Sequence, residues 1–388
     1  MNKPTMLERA QSIVPFLDEQ AQKALEARTL PKESVSALAE TGLLRMFMPK
    51  ELGGEEPPLS MILDIVEAIS WADGSTGWVL TSNSAATGFA GACLSDDAIS
   101  AILGDGDPRR TVGGMFGPAG TGVRCENGFR VSGNFRFGSG TNHSAYIAAG
   151  FISVADGKPV IEESGLPDMR IAFIPREKVK FTDGWHVIGL QGTGSYDYQI
   201  DNVLVEDGYH LKIYGSHAKR GGAIFRMGML PIVAAGHSAW ALGVARRALD
   251  DIKRVASGKY RGGHTKTLSN RLTFQAEYAR NAMRLKSAKS LMHELYDQAI
   301  DTASRGDALS PEHRAHLRAS AVYITESAKK VCDFMHQYAG TDASRLGNSM
   351  VRAYLDMQVG SQHVVVGEQI YADAARVLLG DVADMPNL

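Results

Sequence analysis

From Leu7 to about Leu103 the apolar positions recur at helical spacing. Phe16, Leu17, Ala21, Ala24 and Leu25 make one amphipathic face, and Pro31 precedes a second built from Val35, Leu38, Ala39 and Leu43. Residues 50–58, rich in Gly, Glu and Pro, read as a loop, after which Met61, Ile62, Ile65, Val66 and Ile69 resume the helical pattern. From about Arg109 to Val205 the period changes. Short β-branched or aromatic runs at 129–132, 146–154, 170–174 and 179–181 are bounded by Gly, Asn, Asp and Pro, and helices rarely survive that glycine density. From about Gly222 long helices return over 234–255, 269–303 and 311–338. Their stripe is Ala-rich and not a clean heptad, so it predicts an antiparallel bundle and not a coiled coil.

The expected class is therefore α+β, mostly α, with helical domains at 1–108 and 216–388 around a β-domain at 109–215. Hydrophobic residues make up 44% of the 388 and charged residues 22%, ordinary for a globular chain of this length. A formal net charge of -2 favours neither nucleic acid nor an anionic membrane as partner. Cys93, Cys125 and Cys332 lie far apart without metal-ligand spacing, which fits a reducing cytoplasm and predicts no metal site. The N-terminus is charged and lacks the apolar core of a signal peptide. Met227–Val244, the longest apolar region, is interrupted by Pro231 and His237 and reads as a buried helix.

Residues 189–205 (GLQGTGSYDYQIDNVLV) carry the first hint of chemistry. A glycine-rich turn holding Thr193 and Ser195 leads into Tyr198, Ile200, Val203 and Val205, which read as a strand. Glycines let backbone N–H groups approach a polar ligand, and the hydroxyls add donors. An ordinary tight loop between strands is the other reading, and Asp197 reads as a turn or cap residue.

The order helical, β, helical resembles the acyl-CoA dehydrogenase superfamily, and several segments are similar to its motifs in sequence order. Arg28–Val35, Gly42–Arg45 and Pro49–Glu55 resemble its N-terminal helices, and Asp73–Trp78 the segment passing beside the flavin. Gly189–Ser195 resembles the end of its β-domain, and Gln369–Gly380 its C-terminal helix. The resemblance implies an N-terminal helical domain, a middle β-barrel-like domain and a C-terminal four-helix bundle, assembled as a homotetramer. It departs from the dehydrogenases where their glutamate base would stand, because that position is Ala372. Asp373, one residue on, would point about 100° away on a helix.

The details are more similar to the flavin-dependent monooxygenase branch. Phe135–His143 resembles its flavin-side strand, in which the serine at Ser139 contacts the isoalloxazine region. Arg352, Asp356 and Ser361–His363 resemble its C-terminal pattern, in which the histidine lies near the reactive C4a edge. What this implies is an oxygenase component that takes reduced flavin from a separate reductase. It forms a C4a-hydroperoxide with O2 and oxygenates a small aromatic or apolar substrate, with His363 and Ser139 as catalytic residues. Trp78, Ser139, Thr193, Gly194 and Ser195 would line the flavin. Arg261, Lys266 and Arg271 would meet its phosphate across a subunit boundary, while His143 reads as an exposed loop residue. Arg271 is followed by Leu-Thr-Phe-Gln, a poor match to the superfamily's FAD grip, so FMN and FAD both remain open. A second histidine found in many hydroxylases of the branch is replaced by Ala86. An acyl-CoA dehydrogenase with a displaced base, and a flavin-binding homologue without turnover, remain as alternatives.

Overall fold

Thr5 opens the first helix with a capping box: its hydroxyl accepts the Glu8 N–H, and the Glu8 carboxylate accepts the Thr5 N–H. In the computed structural model, which describes residues 4–182, 184–214, 218–260, 262–263 and 265–381, five helices come first. They are α1 (Met6–Ala27), α2 (Lys32–Glu40), α3 (Leu59–Ala72), α4 (Gly74–Cys93) and α5 (Asp96–Leu103). Pro31 and Pro58 stand just before α2 and α3, where no helical hydrogen bond is lost. Asp73 caps α4 by accepting the Thr76 N–H.

Eight strands follow: β1 (Val112–Cys125), β2 (Gly128–Gly138), β3 (Tyr146–Ala155), β4 (Lys158–Pro159), β5 (Met169–Pro175), β6 (Lys180–Phe181), β7 (Tyr196–Glu206) and β8 (His210–Lys212). They form one mixed sheet ordered β6-β7-β2-β1-β3-β5-β8, with β4 beside β3, and only β1 and β3 run parallel. The sheet keeps a core of its own, made by Phe129, Val131, Phe135, Ile147, Phe151, Ile174 and Tyr198. Its pairing path stays open, with β6 and β8 at the two ends. Residues of the opposite face, Tyr146, Ala148, Ile171 and Phe173, join the helical core. β3 is thus covered on both faces, which is why its sequence is a continuous apolar run and not an alternation.

The C-terminal part holds α6 (Ala223–Arg226), α7 (Met229–Ala256), α8 (Leu272–Ser304), α9 (Pro311–Ala339), α10 (Ser349–Gly360) and α11 (Gln369–Leu378). α7, α8, α9 and α10 make the bundle, α3 packs on α7, and α11 lies along α9. Pro231 is accommodated in the first turn of α7, where its missing N–H costs nothing. α8 buries Phe274, Asn281, Ala288, Met292, Tyr296, Ala299 and Ala303 and leaves Leu272 and Met283 exposed. Among the described residues no helix is long and apolar enough to cross a membrane.

Candidate active site

Four aromatic rings from three separated segments meet where α4, α7 and the end of α10 converge. Trp78 lies on α4; His237 and Trp240 lie three residues apart on one face of α7; His363 follows α10. Trp78 stands nearly perpendicular to the rings of His237, Trp240 and His363, with ring centroids 5.5, 4.9 and 5.5 Å away. Gly360 ends α10 where a side chain is excluded, since a Cβ there would sit 2.1 Å from the Trp240 ring. His363 then caps a short 3-10 turn, Val364–Val366, with its Nδ1 accepting the Val365 N–H at 3.2 Å. An accepting Nδ1 leaves the proton of the neutral imidazole on Nε2.

Burial and the Arg318 guanidinium hold His363 down to about 4, and burial with His363 beside it holds His237 well below the usual range. Both rings are therefore neutral at neutral pH. Within the described residues His237 Nε2 has no hydrogen-bond partner, and neither has the buried Thr81 Oγ1. Such orphaned polar atoms call for a partner, whether water, ion or ligand.

From Trp78 a line of hydrogen bonds runs into the glycine-rich turn. Trp78 Nε1–H donates to Ser139 Oγ at 3.0 Å, Ser139 meets Ser195 at 2.8 Å, and Ser195 meets Thr193 at 2.7 Å. Thr193 donates to the Leu190 carbonyl at 2.8 Å. Each hydroxyl has one proton, so the last bond fixes the others: Ser195 donates to Thr193, and Ser139 to Ser195. Ser139 Oγ is left able to accept from a ligand and unable to donate to it.

The turn itself is packed, not open. Leu190 N–H donates to Asp356, Gly192 N–H donates to Ser75 at 3.1 Å, and a Cβ on Gly189 would lie 2.1 Å from the Leu355 carbonyl. Gly194 takes φ +56, where a side chain would also meet Thr29. These glycines serve the junction of α1, α4 and α10 and not a phosphate. Burial and the neighbouring Asp73 raise the Asp356 carboxyl to about 7. A shallow cleft lined by Asp73, Ser75, Gly192, Arg352 and Asp356 lies against this turn and touches none of the four rings.

The structure thus gathers Trp78, Ser139, Thr193, Ser195 and His363, with Gly194 in the same turn. Arg271 sits apart, at the head of α8, and Arg261 lies outside the described residues. His143 is not an exposed loop residue: it is part-buried, bonds Thr29 at 3.0 Å, and is lowered to about 4 by burial and Arg176. Asp197 is not a turn or cap residue either. It lies on β7, where its carboxylate accepts the Phe137 N–H at the irregular end of the β2–β7 pairing. Ala372 is exposed on α11, and Ala86 is buried in the helical core. Sequence reasoning missed His237, Trp240 and Arg318. One signal was present, a histidine three residues from a tryptophan in an otherwise apolar helix.

Fold and site define the class, and this chain belongs to the acyl-CoA dehydrogenase superfamily. Residues 10–92 match the model of the acyl-CoA dehydrogenase N-terminal domain and residues 235–368 that of the C-terminal domain. Its homologues within that class are oxygenase components of flavin-dependent monooxygenases. Indole-3-acetate monooxygenase of Pseudomonas putida is 27% identical over 353 residues, 91% of this chain and 88% of that one. The flavin-dependent monooxygenase oxygenase subunit HsaA of Rhodococcus jostii (strain RHA1) is 32% identical over 199 residues, 51% of this chain and 50% of its own. In fold, the crystal structure of 3-HSA hydroxylase from Rhodococcus sp. RHA1 superposes with a TM-score of 0.91 at 24% identity, covering 100% of this chain and 99% of that one.

Proposed function

We propose that the chain is the oxygenase component of a two-component flavin-dependent monooxygenase acting on a small aromatic or apolar substrate. The observation that carries this is the direction of the Trp78–Ser139–Ser195–Thr193 chain, which leaves Ser139 Oγ an acceptor only. Reduced flavin presents a ring N–H where oxidised flavin presents a bare nitrogen, so such a serine suits the reduced form. The half-buried Trp78 and the orphaned His237 and Thr81 atoms also fit a flat heterocycle with a polar edge.

When bound, reduced flavin supplies the electrons that let dioxygen give one atom to substrate and one to water. Trp78, Ser139, Thr193, Gly194 and Ser195 hold it. Across a subunit boundary Arg271, whose side chain makes no hydrogen bond or ion pair among the described residues, reaches its phosphate, together with Arg261. His363, neutral with its proton on Nε2, donates a hydrogen bond at the reacting edge, and the surrounding rings exclude water. No carboxylate among the described residues bonds to any of the four rings, which supports a monooxygenase over a dehydrogenase. A separate reductase supplies the flavin, in the cytoplasm. The exposed Leu272 and Met283 on α8 support assembly of four chains through the bundle.

Anaerobic titration with reduced and oxidised FMN and FAD, followed by tryptophan fluorescence, tests this reading. Tighter binding of the reduced form is expected. Tightly held oxidised FAD that bleaches on adding an acyl-CoA would replace it with a dehydrogenase.

A further inference from the structure

Leu190 stands in the glycine-rich turn at φ +53 and ψ +32, a left-handed conformation that a leucine rarely takes, with its side chain buried. Its surroundings must therefore hold it there. The Leu190 carbonyl accepts from Trp185 Nε1 at 2.9 Å and from the Thr193 hydroxyl at 2.8 Å, both bonds made within the turn. The Leu190 N–H donates to Asp356 of α10, and among the described residues this is the one hydrogen bond that grips the Leu190 backbone from outside the turn. That backbone decides more than the shape of the turn. The direction of the Thr193, Ser195 and Ser139 hydroxyls depends on the Leu190 carbonyl as their final acceptor. If Leu190 relaxes to an ordinary backbone conformation, its carbonyl turns, Thr193 loses its acceptor, and nothing then keeps the Ser139 proton away from a ligand.

Asp356 is itself closely fixed. It is buried, and a Cβ on Gly74 would lie 2.5 Å from its Oδ2, so the carboxyl is pressed onto the first turn of α4. The charged groups beside it are Asp73 at the start of α4 and Arg352, one turn back on α10. The helix that carries Asp356 leads at its end into His363. We propose that Asp356 is a positioning residue for the flavin site: by gripping the Leu190 N–H it keeps the Leu190 carbonyl on Thr193 and the hydroxyl line pointing away from the ligand, and so sets the preference between reduced and oxidised flavin. The flavin in this statement rests on the monooxygenase reading, whereas the line of hydrogen bonds from Asp356 to Trp78 rests on the fold alone. Asn at this position keeps an acceptor oxygen for Leu190, and Ala and Leu have none.

Dissociation constants of reduced and oxidised FMN and FAD are measured anaerobically for the native chain and for Asp356→Asn, Asp356→Ala and Asp356→Leu, with unfolding midpoints alongside. Asp356→Ala and Asp356→Leu should bring the two constants together several-fold, and Asp356→Asn should keep the native ratio. Adding Ser195→Ala to Asp356→Ala should change the ratio little further, because both act on one line. A side chain that merely stabilises the fold would weaken both redox forms alike and leave their ratio alone. An unchanged ratio in folded Asp356→Ala or Asp356→Leu overturns the inference, as does an Asn variant no closer to the native chain than Ala. If Asp356→Ala does not fold, Asp356→Leu, which puts an apolar group of similar size in the same place, decides. The indole N–H resonances of the flavin-free chain separate this inference from the functional reading, since Trp185 bonds the Leu190 carbonyl and Trp78 ends the line at Ser139. Both signals should move in the Ala and Leu variants and stay in Asn. A native chain without redox preference overturns the reduced-flavin reading. The Asp356 anchor is then supported by joint movement of the two signals and overturned by a Trp78 signal that does not move.

Discussion

His237 and His363 stack with ring centroids 5.7 Å apart and 29° between their planes, although one lies within α7 and the other beyond α10. Only the fold brings them together. His363 has a backbone partner and a fixed tautomer, whereas His237 Nε2 has none among the described residues, and that difference separates their roles. His363→Ala, folded and still flavin-binding, should lose product formation and release hydrogen peroxide instead, measured as product per oxygen consumed. Full coupling would remove His363 from the mechanism.

His237→Leu should lower turnover without lowering stability. An orphaned buried polar atom contributes no bond to lose, so replacing it with an apolar side chain of similar size should leave stability unchanged or raise it by about 1 kcal/mol. Chemical denaturation and product assays on the same preparation check both halves. A clear loss of stability would show that His237 is a structural residue.

Ser195→Ala should weaken the preference for reduced over oxidised flavin. Without its acceptor, the Ser139 proton is free to turn toward a ligand, and Ser139 can then serve the bare nitrogen of the oxidised ring. Several-fold convergence of the two dissociation constants is the expected result. An unchanged ratio would break the link between hydroxyl direction and redox state.

The buried Asp356 should make stability fall as pH rises. Its carboxyl goes from an ordinary 3.8 in the unfolded chain to about 7 in the fold, so between those values the folded state holds the extra proton. That contribution is present at about pH 4, is lost as pH rises through about 7, and is flat above. His363 acts oppositely: lowered from 6.5 to about 4, it costs stability as pH falls across that window. Asp356→Asn should therefore stabilise the protein more at about pH 8 than at about pH 4, by up to a few kcal/mol. Denaturation midpoints across pH read this directly, and a constant difference would contradict it.

Helices such as α3 and α9 were legible because apolar residues at three and four spacing are what a buried helix face requires. β1 was not, because Gly113, Gly114, Gly117, Gly120 and Gly122 dilute its apolar signal, and the neighbouring strands, not its own side chains, make it a strand. The site divides in the same way. Ser139, Ser195 and His363 could be named from motifs, each short and local. His237, Trp240 and Arg318 could not, because their roles arise from helices packing side by side, and a sequence holds no record of which faces meet. The glycine-rich turn was visible, yet its glycines proved to admit Leu355 and Thr29 and not a phosphate.

The most direct measurement mixes the anaerobic chain with reduced FMN or FAD, admits oxygen, and records the spectrum from milliseconds onward. A transient band belonging to neither reduced nor oxidised flavin, lengthened in life relative to flavin alone and lost in His363→Ala, is what the account predicts. Direct conversion to oxidised flavin at the rate seen without protein would contradict it.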